Sequence, residues 1–217
     1  MTVPQENLVQ EVIMVRHGAV DPQWKGICYG AMDVSLSEQG YSDSRQAARQ
    51  LSERFHPSVI FHSGLSRTRF LAEEIAQAYG GAVPCIEDHR LRERDYGDWQ
   101  GQTWDAAYAS DPDNFDGLIE DPDHYRPPGG ETTSQMQARV AQWFSEQLNP
   151  YGHDRPKTLI AVSHSGPIAA LAGHIHEKPP TQWQPYTIGT LESIRVRQIA
   201  SGEQTRWQID RQTAGMR

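Results

Sequence analysis

Two short apolar runs in this chain stop abruptly at a histidine. Glu11-Val12-Ile13-Met14-Val15 leads into Arg16-His17-Gly18, and Thr158-Leu159-Ile160-Ala161-Val162 leads into Ser163-His164-Ser165-Gly166. Runs this short, with no polar alternation, suit strands buried on both faces, as in a parallel sheet covered by helices. Ser58-Val59-Ile60-Phe61-His62-Ser63 repeats the pattern and opens onto Ser66-Arg67-Thr68-Arg69. In wound sheets of this kind the polar strand ends converge on one crevice, and ligands bind there. The fold class is therefore α/β with a mostly parallel central sheet.

The stretches between these strands carry helical periodicity. Ser35-Leu36-Ser37-Glu38 has capping-box spacing, and Ala47, Leu51 and Phe55 continue at helical intervals, predicting a helix from about Ser37 to Arg54 that Pro57 ends. A second helix runs from Ser66 through Leu71, Ile75 and Ala78 to Gly80-Gly81. A strand is expected around Val83 to Ile86, followed by a glycine-rich and charged loop from Leu91 to Gly101 lying over the crevice. Residues 102–128, acidic and broken by Asp111-Pro112, Asp121-Pro122 and Pro127-Pro128, read as a lid or insertion with little helix of its own. Thr132-Thr133-Ser134-Gln135 gives a second capping-box spacing, and the helix it starts has Met136, Val140, Trp143, Phe144 and Leu148 as its buried stripe and stops near Asn149-Pro150. A last helix begins at Pro167. Residues of about 187–213 then alternate around Ser201-Gly202 as a hairpin added to the sheet.

At 217 residues the chain suits one domain, 1–217. No apolar stretch approaches the roughly 20 residues of a membrane span, and the first fifteen residues lack the basic start and apolar core of a secretory signal. Two cysteines, Cys28 and Cys85, do not make a disulfide framework. These features predict a soluble cytoplasmic protein without membrane contact. A net charge of −8 argues against nucleic acid as a partner, since phosphate-backbone binding needs a basic face. Any anion must be held by a few placed cations, and the chain's assembly as a monomer or a homodimer is left open.

Arg16-His17, Arg67 and His164 sit at separate strand ends or helix openings, and the Glu93 loop can reach the same place. Each alone has an ordinary structural explanation; their conjunction has the parts that phosphoryl transfer requires. A neutral imidazole at His17 can attack phosphorus without a separate base, because its unperturbed pKa of about 6.5 leaves it mostly unprotonated and adjacent arginines favour that form. Arg16 and Arg67 can offer forked donors to the phosphate oxygens. His164, protonated beside a dianion, adds another, as can the amides opening its helix. Glu93 can protonate the leaving oxygen.

Arg16-His17-Gly18, Ser63-Gly64-Leu65-Ser66-Arg67, Leu91-Arg92-Glu93 with Gly97, Trp99 and Gly101, Gly129-Gly130-Glu131 and Ser163-His164-Ser165-Gly166 occur in an order that resembles the histidine phosphatase superfamily, the phosphoglycerate-mutase-like fold. The resemblance spans residues 11 to about 170. It implies a three-layer α/β/α sandwich, a phosphohistidine at His17, a phosphate pocket of Arg16, Arg67 and His164, Glu93 as proton donor, and neither metal nor cofactor in catalysis. The substrate implied is a small-molecule phosphomonoester. Gly26-Ile27-Cys28-Tyr29-Gly30 is similar to the α-ribazole phosphatase-like branch, in which a Tyr-Gly pair borders the substrate pocket; this makes Tyr29, Gly30 and also Ser165 candidate substrate contacts. Ala19-Val20 departs from the family's usual Glu-Thr or Glu-Ser, and no asparagine follows among residues 21–25, so one phosphate contact of the family has no counterpart in this sequence.

Other chemistries fit less of the chain. A phosphoglycerate mutase needs cations for the substrate carboxylate, yet residues 95–125 contain nine carboxylates and no Lys or Arg, so hydrolysis is favoured over mutase-type transfer. A serine hydrolase with Ser165 as nucleophile would leave Arg16, His17, Arg67 and Glu93 unexplained, and has Ser163 where the elbow needs glycine. A cysteine phosphatase needs arginine six positions after its cysteine, where this chain has Val34 and Leu91. His174 and His176, two apart on a helix, do not share a face for a metal. A phosphate-binding regulatory protein on the same fold remains the non-enzymatic alternative.

Overall fold

The computed structural model describes residues 6–148, 157–201 and 204–212. Among the described residues six strands form one sheet: β1 (Glu6–Arg16), β2 (Val59–His62), β3 (Cys85–Glu87), β4 (Lys157–Ser163), β5 (Ser193–Ser201) and β6 (Gln204–Gln212). Their order is β3-β2-β4-β1-β5-β6. The pairs β3–β2, β2–β4 and β4–β1 are parallel, and the hairpin β5–β6 joins antiparallel to the free side of β1. The mostly parallel α/β sheet expected from the sequence is present. The expected stop at Asn149-Pro150 and the hairpin's Gly202 lie outside the described residues.

Alternation along the central strands explains why their sequences look uniformly apolar. Val12 and Met14 of β1, with Leu159 and Ala161 of β4, face one cluster completed by Val140, Trp143 and Ile168 from α5 (Thr133–Gln147) and α6 (Ser165–Ile175). Ile13, Val15, Ile160 and Val162 face the opposite cluster, completed by Ala47, Leu51, Leu71 and Ile75 from α1 (Glu38–Arg54) and α2 (Ser66–Ala78). Both faces of the sheet are covered, giving the three-layer sandwich, and the apolar stretches Val12 to Val15 and Leu159 to Val162 leave no side for an unpaired charge until the strands end.

The structure corrects several local expectations. The first helix is capped by Ser37, whose side chain accepts from the Gly40 amide at 2.9 Å, and not by a box opening at Ser35. The third strand is shifted to Cys85–Glu87. Residues 102–128 contain more helix than their prolines suggested: α3 (Trp104–Ser110) and the single turn α4 (Gly117–Glu120). They gather around Trp99, which stacks on Phe115 with ring centroids 5.2 Å apart, so this segment has a small core of its own with Cys28 and Ala107. The last helix opens at Ser165 with His164 as its N-cap residue, and Pro167 sits within its first turn. The reciprocal box of Thr132 and Gln135 forms as expected.

Two substitutions calibrate this description. Trp143→Ala, at a fully buried ring between α5 and the sheet, should lower unfolding stability by about 3–5 kcal/mol. Thr132→Ala removes the cap and should cost about 1 kcal/mol. Urea titration of both variants measures the two shifts, and a near-neutral Trp143→Ala would contradict the packing described.

Candidate active site

The site lies at the carboxyl ends of the parallel strands, where β1 and β4 run side by side. Their register pairs Arg16 with Ser163, and the His17 amide continues it by donating to the Ser163 carbonyl at 3.1 Å. This places His17 beside His164, with ring centroids 5.0 Å apart and planes at 64°. Both rings are buried, at 2% and 0% exposure. Gly18 lets the chain turn away under α1: a Cβ there would come within 2.5 Å of Ser44 Oγ and 2.8 Å of the Gly40 carbonyl oxygen.

The hydrogen bonds of the histidines fix which nitrogens face the crevice. His17 Nδ1 lies 2.7 Å from the Gly18 carbonyl oxygen. A carbonyl has no proton to give, so Nδ1 carries the hydrogen and Nε2 keeps its lone pair. Burial, with smaller contributions from the Arg67 and Arg16 guanidiniums, lowers the His17 pKa to about 3. The neutral form expected from sequence is thus favoured, but desolvation and not the arginines is the main cause. His164 Nε2 shares a hydrogen bond of 2.9 Å with Ser63 Oγ, which in turn meets Thr68 Oγ1 at 2.7 Å. Burial first, then Arg67 and His17, holds the His164 pKa well below its ordinary value. These forces favour its neutral form, and the protonated form expected beside a dianion needs that anion to oppose them.

The arginines are also arranged differently from expectation. Arg67, fully buried at the start of α2, gives Nη1 to the Met32 carbonyl at 2.6 Å and Nη2 to the Gly30 carbonyl at 2.7 Å. Part of its fork is therefore committed to the 28–32 loop. Arg16 gives Nη1 to the Ile188 carbonyl at 2.8 Å. What remains is informative. Arg16 Nε, Arg67 Nε and His164 Nδ1 are all buried without a hydrogen-bond partner, three of the five such side-chain atoms among the described residues. Buried polar groups are rarely left unpaired, and three from one crevice mark a place built for a polar ligand. Among the described residues, neither guanidinium pairs with a carboxylate, so the ligand that suits them is an anion.

Glu93 approaches from the loop after β3. Its Oε2 accepts from the Gly166 amide at 3.4 Å and its Oε1 from the Arg94 amide at 2.9 Å. The backbone around it is clamped. Arg139 donates to the carbonyls of Arg90 and Arg92 at 2.7 Å and of Glu93 at 3.1 Å, while Glu131 holds the other edge of the same guanidinium. Ser163 Oγ donates to the Leu91 carbonyl at 2.7 Å, tying the loop to β4. The sequence offered Glu131 only as part of a glycine-rich motif. The Arg139 clamp and the Ile188 carbonyl were missed, since nothing in the spacing of residues 139 and 188 links them to the site.

The three weaker candidates occupy mixed positions. The Tyr29 ring lies under the Arg67 guanidinium, 5.4 Å from its carbon to the ring centroid. Gly30 (φ +36°) is a packing position: a Cβ would meet the Arg94 carbonyl oxygen at 2.6 Å and Gln100 Oε1 at 2.7 Å. Ser165 Oγ donates to the Ile188 carbonyl at 3.4 Å; among the described residues its hydroxyl has no histidine base in hydrogen-bond contact, which weakens the serine-nucleophile alternative. Cys28 is buried and its thiol is pushed up to about 12, chiefly by desolvation. His176 Nδ1 bonds the Tyr186 hydroxyl at 2.7 Å, and among the described residues no group of three His, Cys, Asp or Glu is placed to hold a metal. No helix of the described residues is long and apolar enough to cross a membrane.

The chain is similar in sequence and fold to known phosphatases and mutases. The chain is 32% identical over 161 residues to phosphoserine phosphatase 1 of Hydrogenobacter thermophilus, covering 74% of each protein. It is also 32% identical over 163 residues to a 2,3-bisphosphoglycerate-dependent phosphoglycerate mutase of Chelativorans sp., covering 74% of this chain and 79% of the mutase. The structure of mycobacterial glucosyl-3-phosphoglycerate phosphatase in complex with inorganic phosphate superposes with a TM-score of 0.79 at 28% identity, over 94% of this chain and 98% of that one. The α-ribazole phosphatase of Shigella flexneri shares the fold, with a TM-score of 0.74 at 18% identity over 92% and 95% of the two chains. The sequence profile of the histidine phosphatase superfamily (branch 1) matches residues 12–212, and the chain belongs to that superfamily.

Proposed function

We propose that the chain hydrolyses small-molecule phosphomonoesters through a phosphohistidine on His17, without a metal. The observation that carries this reading is the set of buried, unpartnered Arg16 Nε, Arg67 Nε and His164 Nδ1 around a neutral imidazole. Nε2 of His17 attacks phosphorus while the two guanidiniums and His164 hold the non-bridging oxygens. Glu93, in its acid form, gives its proton to the ester oxygen as the P–O bond breaks, and the alcohol departs. Glu93, now a carboxylate, takes a proton from water; the hydroxide equivalent attacks phosphorus, the P–N bond breaks, and inorganic phosphate leaves with His17 neutral again. Residues 102–128 act as the lid. The two free cysteines suit a cytoplasmic location.

Hydrolysis is preferred to mutase-type transfer because residues 95–125 supply no Lys or Arg for a second anionic group of the substrate. A screen of phosphomonoesters in the presence of chelator should reveal a hydrolysed ester. Rapid quenching should then trap an acid-labile, base-stable phosphoenzyme that His17→Ala abolishes. An adduct that survives His17→Ala sinks the mechanism, and interconversion of phosphoglycerate isomers much faster than phosphate release would make the chain a mutase.

The proton donor can be tested separately. A Cβ at residue 166 would fall inside the contact distance of Glu93 Oε1, so Gly166→Ala should displace the carboxylate while the fold persists. Hydrolysis of an alkyl phosphate should fall about 10–100-fold, and that of p-nitrophenyl phosphate much less, because a good leaving group needs no acid. Equal losses on both substrates would count against Glu93 as the donor.

Stability should also report the buried imidazole. His17 stays neutral in the fold down to about pH 3, whereas in the unfolded chain it protonates near its ordinary value of about 6.5. Between those values the unfolded state binds more protons, so the contribution is intact above about pH 6.5 and is lost progressively as pH falls toward 3. His164 acts in the same direction. In phosphate-free buffer, His17→Asn should flatten the pH dependence of the urea midpoint between about pH 6.5 and 4; an unchanged slope would mean the ring is solvated.

A further inference from the structure

We propose that the alcohol part of the substrate is apolar and uncharged, and that it lodges in a cavity of about 400 Å³ beside Glu93, walled by Leu118, Ile119, Met136, Ala169 and Trp183. This rests on the phosphatase reading and names its substrate class. In-line displacement sets the leaving oxygen on the side of phosphorus opposite His17, and the acid that protonates it must stand there. Glu93 and Gly166 line this cavity, and they are the pair joined by the amide-to-carboxylate hydrogen bond. Whatever is attached to the leaving oxygen therefore continues into the cavity.

The walls decide what that group is. Met136, Ala169 and Trp183 are buried, and Trp183 already gives its indole N–H to the Lys178 carbonyl at 2.8 Å, so its ring is presented as an apolar surface. Ile119 is 51% exposed on an otherwise acidic segment. Ile119 also lines the cavity, so it stands at the rim with part of its side chain inward. The space exceeds what the three-carbon skeleton of a phosphoserine or phosphoglycerate fills, and lies in the range of pockets that enclose whole organic groups.

Charge excludes the alternatives. Among the described residues Arg94 is the one cation in the wall, and it is turned to another task. Its Nη1 donates to Thr133 Oγ1 at 2.6 Å and to the Leu118 carbonyl at 3.4 Å; its Nε and Nη2 reach the Glu131 carbonyl at 3.3 and 3.1 Å. The Tyr96 ring covers it at 5.4 Å. Arg94 thus fastens α4 over the cavity and does not offer a fork to a carboxylate. Among the described residues Glu93 is the carboxylate in the lining and no unengaged Lys or Arg stands beside it, so an anionic alcohol would find no cation to pair with.

The test uses esters of matched leaving-group chemistry on the full chain: propyl phosphate, 3-phenylpropyl phosphate and O-phosphoserine. The phenylpropyl ester should exceed both others in kcat/KM by about tenfold or more, by the transfer free energy of the buried ring. Ile119→Asp, at an exposed position that the fold tolerates, should erase most of that preference. Affinity for 3-phenylpropylphosphonate against propylphosphonate, measured by calorimetry, gives the same comparison without turnover. Equal treatment of the propyl and phenylpropyl compounds, or a preference for O-phosphoserine, overturns the proposal. If that result comes with a trapped phosphohistidine, hydrolysis through His17 stands and only the cavity assignment fails. If the phosphonate preference appears but no ester phosphorylates the protein, the hydrolase reading fails, and the substrate assignment with it.

Discussion

One buried guanidinium, Arg67, and one half-buried, Arg16, neither with a carboxylate in contact among the described residues, set the terms for the rest of this structure. Withdrawing such charges from water costs several kcal/mol each unless other groups replace the lost hydration. The chain replaces it incompletely, with the Met32 and Gly30 carbonyls for Arg67 and the Ile188 carbonyl for Arg16. Burial in the same space is the main reason that both neighbouring histidines are held neutral, and the guanidiniums add to it. A nucleophilic imidazole and an anion pocket are thus two results of one electrostatic arrangement. Burial of Arg67 lowers its own pKa, while Glu93 opposes that change from across the site.

Rigidity on the acid side has a different origin. Glu93 stands on a loop without regular secondary structure, yet its backbone is held by a guanidinium that bridges three carbonyls and is itself gripped by Glu131. Charge-assisted hydrogen bonds of this kind do in a loop what ladder hydrogen bonds do in a strand. The Arg94 bonds repeat the device one residue later, with Thr133 also donating to the Leu118 carbonyl, so that the start of α5, the Glu93 loop and α4 are joined. The acid and the wall of the neighbouring cavity therefore share one support.

Much of this was legible in the sequence because parallel sheets write their geometry locally. Apolar runs ending at Arg16-His17 and Ser163-His164 announce buried strands and the end of the sheet that carries chemistry, and the β1–β4 pairing brings those two ends together. The expectations that failed involve groups whose surroundings come from distant segments. The Arg67 fork looked free until the 28–32 loop was found folded onto it. The helices of residues 102–128 were hidden because their cohesion comes from Trp99, Phe115 and Tyr125 packing together and not from a long periodic stripe.

The strand order separates two kinds of change. Residues that would hold the transferred phosphoryl group hang from β1, β4 and the start of α2, at the middle of the sheet and sealed on both faces. The cavity beside Glu93 is closed instead by α4 and by the stretch from Pro180 to Thr187, connecting segments outside the sheet that can lengthen, shorten or change composition without disturbing a strand. In such a molecule mutation can explore new alcohols at the periphery while the reaction at the centre is inherited unchanged. Diversification of specificity and conservation of chemistry then follow from the same architecture.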